Sequence, residues 1–168
     1  MAIIYLEGDL LQKQKEYNID IICHQVNCQG KMGSGIAKKI RDTYPHIYET
    51  YRQKCLEIDK PNLLLGEIQC ISIDKDNSCK CMQHPQVCNM FAQDTYGYDN
   101  KRYTSYDAFY ECLNKLKILG ENWRLSLGFP YNIGCCRGGA DWRIIENMIK
   151  TVLKNCNVYI IKYNKEGC

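Results

Sequence analysis

Cys23-His24-Gln25-Val26-Asn27-Cys28-Gln29-Gly30-Lys31-Met32-Gly33-Ser34-Gly35-Ile36-Ala37-Lys38-Lys39-Ile40 runs from an apolar strand through a polar turn bearing three glycines into a helix. Glycine leaves backbone N–H groups uncovered, and at a helix N-terminus such groups form an anion site. The stretch therefore reads as a phosphate-holding turn; the plainer alternative is a glycine-rich turn kept for tight packing. His24 and Asn27 stand just before the glycines, where side chains of these types exchange a proton or grip a ribose hydroxyl.

Outward from this stretch, strands and helices alternate. Ala2 to Leu6 is an apolar run stopped by Gly8-Asp9, and Ile19 to Cys23 is a second, with a polar link between them. Ser34 can cap a helix from Gly35 to about Thr43; Pro45 suits the first turn of another, which carries Ile47, Tyr48 and Tyr51 up to Cys55. Leu63 to Ile73 reads as a strand kinked at Gly66, Gln86 to Phe91 as its neighbour, and Asp74 to Pro85 as a polar hairpin excursion. Tyr106 to Leu119 is a helix ending at Gly120, and Arg124 to Phe129 a short strand. Gly134 to Gly139 is a second glycine loop, followed by a helix with Trp142, Ile145, Met148, Ile149, Val152 and Leu153 on its apolar face, then a strand from Val158 to Tyr163. Six strands interleaved with helices predict a three-layer α/β/α fold around a mixed, mostly parallel sheet over residues 1–168 as one domain. Ligands in such folds sit beyond the strand ends, at the loops entering helices.

Composition agrees with a globular domain: 168 residues, 45% apolar and 24% charged. A net charge of +3 without a basic block is too small for a general nucleic-acid binder. No apolar run reaches membrane-spanning length and no signal-peptide pattern opens the chain, so a cytoplasmic protein is expected; a monomer is expected as well. Twelve cysteines in a chain of this size read as reduced thiols, not as staples. Cys79-Lys80-Cys81 with His84 and Cys88 is the one metal-like cluster, but its first spacing is shorter than zinc knuckles use, and neither metal nor cofactor is expected.

The first loop is no Walker A loop, because Ile36 and Ala37 follow Gly35 where Lys and Ser or Thr are needed. A dinucleotide fingerprint starting at Gly33 fails at Lys38. With both loops in view, the chain resembles the macrodomain family, which binds ADP-ribose. Gly8-Asp9-Leu10 is similar to the motif after the family's first strand, and His24-Gln25-Val26-Asn27 stands where many members have Asn-Ala-Ala-Asn. Met32 to Ala37 resembles the first phosphate loop, and Phe129 to Trp142 the second.

The resemblance implies adenine at Asp9 and pyrophosphate on Met32, Gly33, Ser34, Gly35 and Ile36 together with Gly134, Cys135, Cys136, Arg137 and Gly138. It places the distal ribose at Asn27. The run from His24 to Ala37, with Tyr44-Pro45, Tyr51 and Leu65-Gly66, is similar to the fungal phosphatase branch acting on ADP-ribose 1″-phosphate. That likeness implies His24 as nucleophile or general acid, with Asp141 orienting a water; a hydrogen-bonded structural histidine and a helix-start aspartate are the quieter readings. The glycohydrolase branch, which removes ADP-ribose from protein or DNA, is also similar, but Gln93 stands where it has a lysine and Gly138 where it has an acid. Nucleic acid would be a partner only as ADP-ribosylated DNA. A reader without turnover is the third reading. Cys136 replaces a usual glycine, which predicts crowding or strain in the loop. Tyr96, Tyr98, Tyr103 and Tyr106 with Arg102 suit either base stacking or packing of a loop on itself.

Overall fold

A computed structural model describes residues 3–76 and 85–164 of the chain. In order these form β1 (Ile3–Glu7), α1 (Leu10–Tyr17), β2 (Ile21–Asn27), α2 (Gly35–Thr43), α3 (Pro45–Leu56), β3 (Ile68–Ser72), β4 (Gln86–Gln93), α4 (Tyr106–Trp123), β5 (Leu127–Pro130), α5 (Trp142–Val152) and β6 (Val158–Lys162). The strands make one sheet in the order β1-β6-β5-β2-β4-β3, parallel throughout except for antiparallel β3. The three-layer α/β/α architecture expected from the alternation is the one observed.

The layers follow from the two-residue period of the strands. Cys23, Cys88, Met90, Leu127, Phe129, Val158 and Ile160 meet α4 and α5 on one face. Ile22, Val87 and Ile161 meet Leu10, Leu11, Ile40 and Ile47 from α1, α2 and α3 on the other, and nearby Val26 and Phe91 pack with Met32 and Tyr51. Since β2 and β5 are adjacent parallel strands, the loops that follow them leave the same sheet edge side by side.

Four local expectations change. The polar link after β1 is α1: the Asp9 carboxylate accepts the N–H groups of Leu11 and Gln12 as its N-cap, and Asn18 ends it in the left-handed region. Helix α4 does not stop at Gly120 but continues to Trp123. There glycine serves close packing, since a Cβ would lie 2.7 Å from the sulfur of Cys156. Pro61–Leu64 forms a 3₁₀ turn, so β3 starts only at Ile68. And β2 runs to Asn27, which puts His24 in mid-strand instead of at a strand end.

Cys79, Cys81, His84 and most of the expected hairpin lie outside the described residues. Among the described residues no His, Cys, Asp and Glu group is arranged to hold a metal, and no helix is long and apolar enough to cross a membrane. Among the described residues eight cysteines are free, as expected, while Cys136 is disulfide-bonded, against the expectation of reduced thiols throughout.

A polar row crosses the sheet beneath α3. Gln69 Nε2 donates to the Thr50 carbonyl at 3.3 Å, Asn89 Nδ2 donates to Gln69 Oε1 at 3.1 Å, and His24 Nε2 meets Asn89 Oδ1 at 2.6 Å. The first two bonds fix the amide orientations, so the last must be donated by His24 Nε2–H. Its Nδ1 is then a bare acceptor, buried and without a partner among the described residues. Burial pushes the imidazole down from 6.5 to about 4. A folded-state value below the unfolded one means that stability is fully present above pH 6.5 and is lost as pH falls through 4. Urea titrations at pH 7.5 and 4.5 should therefore show His24→Gln losing less stability on acidification than the parent, by about 3 kcal/mol at most; equal pH dependence would exclude a neutral buried imidazole.

Candidate active site at the carboxyl edge of the sheet

The first loop is organised by Asn27. Its Oδ1 accepts the N–H groups of Gln29 at 2.9 Å and Lys31 at 3.3 Å and the Tyr51 hydroxyl at 2.9 Å, while its Nδ2 donates to the Lys31 carbonyl at 2.8 Å. Tyr51, wholly buried, also donates to the Asn27 carbonyl. The side chain expected to grip a ribose is thus spent on holding the turn. Met32 anchors the loop in the core and offers a ligand only its backbone. Beyond it Gly33 and Gly35 are exposed, with Gly35 at φ 56°. The N–H groups of Gly33, Ser34, Gly35 and Ile36 donate to nothing among the described residues, as befits a helix N-terminus, and the Ser34 side chain makes no cap bond that would cover them.

The second loop, after β5, begins with Asn132 at φ 62° and Gly134 at φ 74°. The Gly134 carbonyl accepts from Thr104 Oγ1 at 2.9 Å and from the Ala140 N–H at 3.0 Å; the Gly138 carbonyl accepts the N–H groups of Tyr103 and Thr104. Gln25 Nε2 donates to Thr104 Oγ1 and to Gln93 Oε1, each at 2.8 Å. Gln25 and Thr104 were not singled out from sequence; only this packing identifies them. Cys136 and Arg137 are exposed, and Cys136 stays outside the left-handed region, so the predicted strain is absent. Burial pushes the Cys135 thiol up to about 11, leaving it protonated and a poor nucleophile. Arg137 lies over the Tyr98 ring at 4.3 Å and Arg102 over Tyr106 at 4.5 Å, while Tyr103 donates to Asp99. Much of the tyrosine-rich segment is therefore packed against itself and the second loop.

Asp9 lies on the rim of a depression of about 560 Å³ shared with Gln12, Lys39, Tyr44 and Tyr163. One carboxylate oxygen caps α1 and the other pairs with Lys39, whose ammonium also sits over Tyr163. Lys39 and Tyr163 are neighbours of Asp9 that the sequence reading did not supply.

The two expected catalytic residues are placed otherwise. His24 is fully buried on the α3 side of the sheet and reaches no surface. Asp141 is the N-cap of α5: its Oδ1 accepts the Arg143 N–H, and its carboxylate pairs with the Arg143 guanidinium at 2.8 Å. That side chain and backbone hold the carboxyl below the usual range. The Asp141 N–H in turn donates to the Tyr106 hydroxyl. Gln93 is tied on both sides, accepting from Gln25 and donating to the Thr95 carbonyl. The carboxylate at the end of β4 is Asp94, half-buried, with Oδ1 accepting from Gln29 Nε2 at 3.2 Å. It follows Gln93, which pairs with Asn27 across the strands, so it stands beside the first loop.

No protein-family model matches the chain. An ADP-ribose 1″-phosphate phosphatase of Scheffersomyces stipitis is 26% identical over 95% of this chain and 99% of its own length. One of Meyerozyma guilliermondii is 31% identical, over 55% of this chain and 54% of that protein. Among solved structures, the macrodomain of Mycobacterium tuberculosis DarG superposes with a TM-score of 0.75 at 20% identity, covering 98% of this chain and 99% of that one. Thermosipho africanus DarTG in complex with ADP-ribose gives 0.74 at 18% identity, over all of this chain and 43% of that one. The order of elements, the mixed six-stranded sheet and these superpositions together make the chain a macrodomain by fold.

Proposed function

We propose that the chain binds ADP-ribose across the carboxyl edge and hydrolyses ADP-ribose 1″-phosphate to ADP-ribose and phosphate. The observation that supports the binding is the pair of loops on adjacent strands, each with N–H groups that donate to nothing among the described residues: Gly33 to Ile36 on one side, Arg137 to Gly139 on the other. Fixed donors of this kind bind a pyrophosphate without reorganising. In this reading Met32, Gly134, Cys135 and Cys136 contribute backbone, Asp9 and Tyr163 receive the adenine, and Asn27 acts by holding the first loop. The phosphatase names of the curated relatives support the choice of substrate.

The chemistry is assigned to Asp94. With His24 sealed in the sheet and Asp141 committed to Arg143, Asp94 is the carboxylate beside the first loop, where it can take a proton from the attacking water. Glycohydrolysis through a lysyl adduct at the end of β4 is disfavoured, since Gln93 occupies that strand end. A reader without turnover is the second reading, and the structural employment of His24 and Asp141 is what favours it.

In calorimetric titrations Asp94→Asn should hold ADP-ribose within about twofold of the parent affinity, while phosphate release from ADP-ribose 1″-phosphate falls by about 10²–10⁴. Binding by the parent with no release of phosphate would establish the reader instead. Asn27→Ala deletes the hub of the first loop; it should cost about 2–3 kcal/mol of unfolding free energy, because it removes the side-chain partner of the Gln29 and Lys31 N–H groups and of the Lys31 carbonyl, and should weaken ADP-ribose binding in the same preparation.

A further inference from the structure

Two carbonyls of the second loop, those of Gly134 and Gly138, are bonded to Thr104, which is bonded in turn to Gln25, and we infer that Thr104 and Gln25 are the positioning residues that set the course of this loop for a ligand. Thr104 Oγ1 donates to the Gly134 carbonyl and accepts from Gln25 Nε2; the Thr104 N–H donates to the Gly138 carbonyl. A peptide unit points its N–H and C=O in opposite directions, so tying the Gly138 carbonyl to Thr104 turns the N–H of the exposed Gly139 the other way, while the bond to the Gly134 carbonyl fixes where the chain of residues 135–137 begins.

The fit is close. A Cβ on Gly134 would lie 2.6 Å from Gln25 Oε1, and one on Gly138 would lie 2.2 Å from Thr104 Oγ1 and 2.4 Å from the Gly134 carbonyl. The glycines of this loop are therefore required by the seat beneath them and not only by a ligand above. The seat itself is fixed to the sheet: Gln25 belongs to β2, Gln93 to β4, and Gln93 bridges to Thr104 across the backbone. Thr104 is buried, so it positions the loop without touching a ligand.

The inference rests on the ADP-ribose reading, and the test separates the two. Thr104→Val keeps the shape and removes the hydroxyl; Thr104→Ser restores it. ADP-ribose affinity by calorimetry should fall about tenfold in Thr104→Val, the loss of roughly one hydrogen bond, and stay within about twofold of the parent in Thr104→Ser. Hydrogen exchange at the Ala140 amide, bonded to the Gly134 carbonyl, should accelerate in the valine variant alone, while exchange in the first loop is unchanged. Gln25→Met, which removes the donor to Thr104, should follow the valine variant if that protein fails to fold. Unchanged Ala140 protection, or altered protection with parental affinity, overturns the inference. A parent that does not bind ADP-ribose overturns the functional reading instead, and Ala140 protection then decides the seat by itself.

Discussion

The parallel pairing of β2 with β5 is the constraint from which the site follows. Ile21 registers with Leu127 and Ile22 with Gly128, so two strands far apart in sequence run side by side in the same direction and release their loops over one edge. Gly128 allows α1 to close on this centre: a Cβ there would stand 3.1 Å from Ile19 and 3.5 Å from Leu10. A side chain at 128 would push α1 outward, and with it Asp9, which both caps that helix and pairs with Lys39 of α2. Core packing and the rim of the depression thus share a backbone.

Alternation along β2 divides the labour of the site. Ile22, His24 and Val26 face α2 and α3, whereas Cys23 and Gln25 face α4 and α5. His24 and Gln25 are successive residues, and each begins a polar network that leaves the strand on its own side. One crosses to Thr50 and steadies the face under α3; the other reaches Gly134 and seats the second loop. Buried polar groups are tolerated when their partners are complete; each network uses its side-chain N–H groups but leaves one buried acceptor, His24 Nδ1 in one and Gln25 Oε1 in the other, without a partner among the described residues.

The fold was legible because it rests on period and punctuation. Runs such as Val158 to Ile161 and the apolar stripe of α5 have no other satisfactory reading, and the glycine loops mark the ends of β2 and β5. What was not legible depends on distance across the fold. Helix α1 has only two turns and two leading leucines, so its cap at Asp9 was its one signal. Gly120 has the sequence appearance of a helix stop, yet it is a packing glycine facing Cys156, a residue 36 positions further on. Thr104 carries no motif at all, and its role exists only once Gln25 and Gly134 are brought to it.

The same reasoning explains why the residue types expected to be catalytic are present but employed elsewhere. A histidine in a run of isoleucine, cysteine and valine is placed by the strand's period before chemistry is considered. A one-residue slip of β2 would only carry His24 to the equally covered face under α4 and α5, and would take Ile22 and Val26 out of their clusters with it. An aspartate before Trp142 is likewise claimed by the helix it begins, where its charge is favourable. Asp94 escapes both claims. It lies one residue beyond β4, outside the sheet's alternation, and begins no helix; among the described residues its carboxylate is held only by Gln29, a side chain of the first loop itself. In the proposed reading, a carboxylate at a strand end, oriented from the first loop, would couple proton transfer to the loop that binds; a histidine sealed beneath α3 has no such access.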